Sequence, residues 1–130
     1  MNLLLDTHTL IWAVLADPHL SATARALIVD PNNDVLVSPA SFWEIAIKVS
    51  KGKLALSQPF GDFVDLCLNQ SGFQLLPIEP AHTTLVATLP FPTRHKDPFD
   101  RLLVAQVIVA GISIVSADVA LDAYPVLRIW

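Results

Sequence analysis

Short, continuous apolar runs alternate along the chain with segments whose apolar residues recur at helical spacing, and this alternation restricts the possible folds more than any other feature. Residues 2–5, 35–37 and 112–115 are apolar at nearly every position, which is typical of strands that are buried on both faces. Strands that alternate with helices form parallel sheets with helices packed on both sides. The sequence therefore predicts an α/β fold, a three-layer α/β/α sandwich around a mainly parallel sheet of four to five strands.

Helical spacing and helix-ending residues such as glycine and proline locate the remaining elements. The predicted helices cover residues 10–15, 21–29, 41–49, 59–68, 80–89 and 98–110. Two further strands are predicted at residues 73–78 and 126–129. A length of 130 residues suits one domain. Because the sequence shows neither an internal repeat nor a linker, we predict a single domain over residues 1–130.

The composition is apolar and poor in charge, with 53% hydrophobic and 15% charged residues. Apolar surface that charge does not cover usually marks a contact with a partner. The single cysteine, Cys67, lies in an apolar run, so we expect a buried and unreactive thiol. The lack of a disulfide framework suits the reducing cytoplasm. No basic leader precedes the first apolar run, and no stretch reaches the ~18 apolar residues of a membrane span, so no membrane association is expected.

The net charge of −4 argues weakly against nucleic-acid binding, because phosphate recognition normally requires cationic side chains. This argument loses force if several carboxylates hold a divalent metal ion, since each ion brings two positive charges to the place where a phosphate would lie. The positions of the acidic residues therefore decide which classes of function remain.

Four acidic residues follow predicted strands or lie in the helices just after them. Asp6 follows the first apolar run, at residues 2–5, and Asp118 follows the apolar run at residues 112–115. Glu44 and Asp100 lie near the starts of two predicted helices. In an open α/β sheet, ligands bind in the crevice outside the C-terminal ends of the strands. Carboxylates gathered there repel one another until a divalent cation binds, and oxygen ligands alone predict Mg²⁺ or Mn²⁺.

Each of these acids also has a structural explanation as part of a helix cap. Ser41 and Glu44 have the spacing of a capping box. Asp97 precedes a proline, as an N-cap residue often does. Asp6 and Asp118 are suitably located to cap short helices. For any one acid both explanations stay open, whereas the four acids together favour a shared metal site.

Four sequence motifs, taken in order, resemble those of a known family. They are DTHTLIW at residues 6–12, SFWEIAIK at 41–48, HKDPFDRLLVAQ at 95–106 and VSAD at 115–118. Together they resemble the successive motifs of PIN-domain proteins, most closely the toxins of the VapC type, and the resemblance extends from near Met1 to near Trp130. It implies a parallel sheet between helices. It also implies cleavage of RNA with Mg²⁺ or Mn²⁺, which leaves 5′-phosphate and 3′-hydroxyl ends.

The resemblance carries over onto individual side chains. It implies catalytic roles for Asp6, Glu44, Asp100 and Asp118, with Asp6, Asp100 and Asp118 as metal ligands. Ser116 takes the position of the hydroxyl residue that the family has near its last acid. Asp97 competes with Asp100 for the acid of the third motif. Asp100 fits better because it precedes the apolar run of that motif, and Asp97 is then the helix cap with a supporting role.

Other residues near the motifs have several possible roles. Thr7 is suitably located to hold Asp6, to hold a water molecule or to cap a helix. Three cations around the third motif are candidates for RNA binding or for a solvated basic loop: Arg94, Lys96 and Arg101. The resemblance also implies a cognate antitoxin in an apolar groove. The candidates for that groove, or for core packing, are Trp12, Phe42, Trp43 and Ile47. The resemblance and the apolar composition predict a homodimer.

Three other functions remain open at the level of sequence. A receiver-like signalling domain also gathers acids around Mg²⁺, but it requires a lysine after a late strand, and this chain has none beyond Lys96. A degenerate PIN fold that only binds a partner would not need all four acids. A metal-dependent phosphatase would act on small phosphomonoesters.

Overall fold

Five parallel strands organise the chain into one sheet. The computed structural model describes the backbone of residues 1–130 and every side chain except that of Thr93. The strands are β1 (Asn2–Leu5), β2 (Asp34–Val37), β3 (Gln74–Leu75), β4 (Ser113–Val115) and β5 (Arg128–Ile129). They lie in the order β3-β2-β1-β4-β5, and all four neighbouring pairs are parallel. The predicted parallel α/β sheet is therefore confirmed.

Six α-helices connect these strands. They are α1 (Thr7–Val14), α2 (Ala22–Val29), α3 (Pro39–Ser50), α4 (Phe60–Asp65), α5 (Pro80–Thr88) and α6 (Pro98–Ala110). The chain leaves β1 towards β2 on one side and later returns to β4 on the other side of β1. The strand order thus reverses between β1 and β4, and their C-terminal ends border the crevice where ligands bind in such sheets.

The sheet separates two hydrophobic cores, because successive side chains of a strand point to opposite faces. Leu3 and Leu5 of β1 pack in one core with Ile45 of α3. Leu4 packs in the other core with Leu103 of α6. These two cores make the fold the three-layer sandwich that the sequence predicts.

The lone cysteine lies in the first of these cores. Cys67 is fully buried, and burial raises the pKa of its thiol to about 12. The expected buried thiol is confirmed, and its thiolate form is suppressed at neutral pH.

Several predicted boundaries are wrong by a few residues. The strand predicted at 73–78 is only Gln74–Leu75, because Pro77 has no backbone N–H to donate to a neighbouring strand. The helix predicted at 59–68 ends its α-helical part at Asp65 and continues as a π-helical turn over Leu66–Gln70. Among the described residues, no helix is both long enough and apolar enough to span a membrane.

A buried amide links the sheet to α6. The hydroxyl of Ser38, at the end of β2, donates to Oε1 of Gln106. Nε2 of Gln106 donates to the Leu76 carbonyl at 3.0 Å. Gln106 is fully buried, so these polar groups have no access to water once the partner is removed. The amide therefore fixes α6 against the C-terminal ends of β2 and β3.

We expect Gln106→Leu to lower the free energy of unfolding by about 2 kcal/mol, because the buried Ser38 hydroxyl and Leu76 carbonyl then each lose their hydrogen bond to the amide. Urea unfolding followed by circular dichroism measures the change. Gln70→Leu is the matched control, since Gln70 is exposed and its replacement should change stability by less than ~0.5 kcal/mol. Equal stability of the Gln106→Leu variant and the wild type would contradict this account.

Candidate active site

Asp6 lies at the C-terminal end of β1, at the point where the strand order reverses. Its Oδ1 accepts the Thr9 N–H at 2.9 Å, which makes Asp6 the N-cap of α1. Its Oδ2 accepts the hydroxyl of Ser116, the residue that follows β4. The carboxylate is 5% exposed. One side chain therefore caps a helix and also faces the crevice.

Asp118 is oriented by the same serine. The Asp118 N–H donates to Oγ of Ser116 at 3.0 Å. Oδ1 of Asp118 accepts the Ala120 N–H at 3.0 Å, and this caps a short 3₁₀ turn over Val119–Ala123. Asp118 itself is exposed. The Ser116 hydroxyl thus donates its hydrogen to the Asp6 carboxylate, and its oxygen accepts the backbone N–H of Asp118.

The third motif brings Asp100 and His95 to the same place. Asp97 caps α6 by accepting the Asp100 N–H at 3.0 Å, as predicted for Asp97. His95 Nε2 lies 3.1 Å from Asp100 Oδ2. One potential ligand atom each from His95, Asp100 and Asp118 lies within 4.8 Å of the other two. This group has the size and the chemistry of a divalent-metal site.

The pKa of Asp100 is raised by its surroundings in the site. Burial, and then the neighbouring charge of Asp97, raise the pKa of Asp100 to about 6, and the charge of Asp6 adds to the effect. The hydrogen bond with His95 acts in the opposite direction. A cation bound beside these carboxylates would reduce their mutual repulsion and would favour the ionised form of Asp100.

Glu44 reaches the site from α3 through Thr7. The Thr7 hydroxyl donates to Glu44 Oε1 at 2.9 Å, and Lys48 Nζ lies 2.9 Å from Oε2. The predicted capping box is wrong, because α3 begins at Pro39 and its cap is Ser38, whose hydroxyl accepts the Ala40 N–H. Glu44 is 8% exposed, and its carboxylate is fixed beside the start of α1.

Arg101 is buried, and this corrects its assignment as an RNA-binding candidate. Its guanidinium donates to the carbonyls of Leu89 at 2.8 Å and Pro90 at 2.7 Å. It also donates to the Tyr124 hydroxyl at 3.3 Å and lies 3.8 Å from the ring centroid of Phe91. Only 4% of Arg101 is exposed. Its charge is used to fix the loop before α6 and is not available to a phosphate.

Arg94 and Lys96, the two other cations of that group, are exposed beside the site. The predicted groove residues fall into two groups. Trp12 and Phe42 pack against the first core, and Trp12 also contacts Trp130. In the second group Trp43 is 62% exposed and meets Phe99 edge-on, and Ile47 lines a cavity of about 250 Å³ beside α6.

Sequence reasoning missed two members of the site. His95 was noted only as the first residue of the third motif, yet its ring joins the carboxylates. Tyr124 was not considered, yet its hydroxyl lies 2.7 Å from His95 Nδ1. A histidine five residues before Asp100 was the available signal for His95. Tyr124 had no such signal, because its role depends on a contact across 29 residues of chain.

Comparison with known proteins agrees with this fold. Residues 3–127 match the family model of the PIN domain. Since the match covers nearly the whole chain, this chain belongs to the PIN-domain family, as its four motifs predicted.

Particular relatives can be named within that family. The chain is 39% identical over 70 residues to ribonuclease VapC16 of Mycobacterium tuberculosis, a match that covers 51% of this chain and 50% of the relative. The aligned part thus spans about half the length of that relative.

Among solved structures, the fold is similar to VapBC2 of Rickettsia felis in complex with a promoter DNA fragment, with a TM-score of 0.74. The sequence identity is 16%, and the superposition covers 99% of this chain and 98% of that one. It is also similar to FitAcB of Neisseria gonorrhoeae, with a TM-score of 0.66, 19% identity, and coverage of 98% and 96%.

We expect Arg101→Met to lower the free energy of unfolding by about 2–4 kcal/mol, because the carbonyls of Leu89 and Pro90 lose a charged donor. Thermal and urea unfolding measure the loss. Lys96→Met is the control, since Lys96 lies in the same loop and is exposed. An Arg101→Met protein of unchanged stability, with weakened RNA binding, would restore the rejected assignment.

Proposed function

We propose that this chain is a divalent-metal-dependent endoribonuclease and the toxin of a toxin–antitoxin pair. The observation that carries the proposal is that ligand atoms of Asp100, Asp118 and His95 lie within 4.8 Å of one another. The charge of Asp6 acts on Asp100, and Thr7, the neighbour of Asp6, holds Glu44. The name of the relative in Mycobacterium tuberculosis, a ribonuclease, supports the activity. The resemblance of the four motifs to those of VapC-type toxins supports the biological role.

The donor set fits Mg²⁺ or Mn²⁺. Asp100 and Asp118 of that group, and Asp6, whose charge acts on Asp100, offer carboxylate oxygens, which are the ligands that both ions accept. Burial, and then the charges of Asp97 and Asp6, raise the pKa of Asp100, and a divalent cation beside this carboxylate would favour its ionised form. When bound, such a cation lowers the pKa of water, withdraws charge from a phosphodiester and stabilises the departing oxygen.

The side chains of this chain hold that chemistry in position. The Thr9 N–H and the Ser116 hydroxyl fix both oxygens of Asp6, so the carboxylate does not have to reorganise when substrate arrives. Thr7 and Lys48 orient the Glu44 carboxylate as an acceptor at the edge of the site. Water attacks the phosphodiester in line, and the 3′-oxygen leaves, which gives 5′-phosphate and 3′-hydroxyl ends.

The cations of the chain answer the objection from net charge. Arg101 is buried, and Arg128 is paired with Asp122. Two of the remaining cations, Lys51 and Lys53, line the cavity of about 250 Å³ that Glu44 also borders, whereas Lys48 in the same cavity is paired with Glu44. We propose that the RNA backbone follows this cavity and the exposed side chains of Arg94 and Lys96. Local positive charge then suffices for RNA although the whole chain is acidic.

Partners follow from the same proposal. We propose a cognate antitoxin as the protein partner, a homodimer as the oligomeric state and the cytoplasm as the location. The exposed apolar side chains of Trp43, Phe91 and Leu127, each 62% exposed, offer surface for protein contacts of this kind.

Asp6→Asn tests the chemistry. The amide can still accept the Thr9 N–H and can donate to Ser116, so we expect an unchanged fold. We expect RNA cleavage to fall by about 100-fold or more, equivalent to ~3 kcal/mol of lost transition-state stabilisation. The measurement is cleavage of a labelled RNA with Mg²⁺, with Mn²⁺ and with EDTA.

Asp65→Asn is the control for this experiment, because Asp65 is exposed and its carboxylate accepts hydrogen bonds from Asn69 and Gln70 on its own helix. The same assay separates the alternatives. Wild-type protein that folds and binds RNA without cutting it would make the chain a degenerate binding module. Labelling by a small phosphodonor would instead identify a receiver-like domain, and turnover of a chromogenic phosphomonoester would identify a phosphatase.

Lys51→Ala combined with Lys53→Ala tests the RNA path. On the Asp6→Asn background, which prevents cleavage, we expect weaker RNA binding and a salt dependence whose slope falls by about 1.4, or ~0.7 for each lost phosphate contact. Fluorescence anisotropy across a salt series measures both. Arg25→Ala removes an exposed cation on α2 and should leave the slope unchanged. If the lysine double variant and the Arg25→Ala variant change the salt dependence of RNA binding by the same amount, the cavity is not the RNA path.

A further inference from the structure

His95 presents a ring nitrogen to the carboxylate cluster. Nε2 of His95 lies 3.1 Å from Asp100 Oδ2. His95, Asp100 and Asp118 each offer a ligand atom within 4.8 Å of the others. The His95 side chain is only 10% exposed, so its ring faces the site and not the solvent. His95 therefore offers a nitrogen ligand atom, whereas Asp100 and Asp118 offer oxygens.

The other nitrogen of the ring is held from behind. Nδ1 of His95 lies 2.7 Å from the Tyr124 hydroxyl, and Tyr124 is 4% exposed. Arg101 donates to the same hydroxyl oxygen at 3.3 Å. Because a guanidinium can only donate, it polarises the tyrosine from one side, and the second lone pair of that oxygen can accept an Nδ1–H. In that tautomer Nε2 carries no hydrogen and is free to bind a cation, whereas without a cation Nε2–H can donate to Asp100 while Nδ1 accepts from the Tyr124 hydroxyl.

This arrangement is the one that metal-binding histidines usually have, with one nitrogen on the metal and the other hydrogen-bonded to a fixed partner. Arg101 and Tyr124 are buried, so the partner here is rigid. A nitrogen ligand changes the metal preference of a site, because Mg²⁺ prefers oxygen and water, whereas the first-row transition ions, of which Mn²⁺ binds nitrogen most weakly, accept imidazole as well.

We propose that His95 Nε2 is a metal ligand beside Asp100 and Asp118, and that it makes the site selective for Mn²⁺ over Mg²⁺. Tyr124 is the positioning residue that holds the His95 ring through Nδ1, and Arg101 holds Tyr124. The inference rests on the proposed metal site. It adds to that site a nitrogen ligand, a support for the ligand and a preferred ion.

Pulsed electron paramagnetic resonance on the Mn²⁺-loaded wild-type protein tests the ligand directly. We expect hyperfine coupling to a directly bound ¹⁴N nucleus, and we expect His95→Gln to remove it. His19→Gln is the matched control, because His19 is exposed and paired with Asp17 outside the site. Mn²⁺ bound without nitrogen coupling in the wild type would overturn the inference and would leave the nuclease proposal intact.

Calorimetric titration tests the selectivity without any activity assay. We expect His95→Gln to weaken Mn²⁺ binding by about 10–100-fold and Mg²⁺ binding much less, and Tyr124→Phe to weaken Mn²⁺ binding by about 10-fold. Equal losses for the two ions would overturn the selectivity. If His95→Gln does not fold, the wild-type spectrum and Tyr124→Phe still decide the question. A wild-type protein that binds neither ion would overturn the proposed function together with this inference.

Discussion

The hydrogen bond from the Ser116 hydroxyl to Asp6 is the interaction on which the candidate site depends. It joins the ends of β1 and β4 where the strand order reverses, across 110 residues of chain. A buried carboxylate is costly unless it is hydrogen-bonded, and the Thr9 N–H and the Ser116 hydroxyl provide charge-assisted bonds that meet this cost. The Asp118 N–H donates to the same serine oxygen. One small polar residue therefore sets the relative positions of two acids from different strands.

The sequence was sufficient for the sheet and for the acids at its edge, and the reason is local. Strands buried on both faces must be apolar throughout, so β1, β2 and β4 are visible as short apolar runs. A polar residue directly after such a run lies at the strand end whatever the rest of the fold does. For this reason Asp6 was located correctly from its neighbours alone. Only the edge strands, of two residues each, lacked enough length to fix their bounds.

The role of a charged side chain, by contrast, depends on partners that are distant in sequence. Arg101 looks like its exposed neighbours in the basic loop, yet carbonyls 11 and 12 residues earlier and the Tyr124 hydroxyl 23 residues later enclose it. The Ser41 and Glu44 spacing likewise suggested a cap, although Ser38 precedes a proline and is the better local candidate. Spacing alone cannot choose between two serines when the helix start itself is uncertain by a few residues.

Capping and the proposed metal binding, which look like rival explanations for these acids, are compatible in one arrangement here. Asp6 caps α1, Asp118 caps the turn over Val119–Ala123, and Asp97 caps α6 directly beside Asp100. Three N-termini with partial positive charge thus converge on the carboxylates, and each cap stabilises the fold by ~1 kcal/mol. These caps let the fold gather repelling charges without a metal. Burial, and then the charges of Asp97 and Asp6, nevertheless raise the pKa of Asp100 to about 6, so the caps do not offset the whole cost of ionising this carboxylate, and that cost is the one that the proposed cation would reduce.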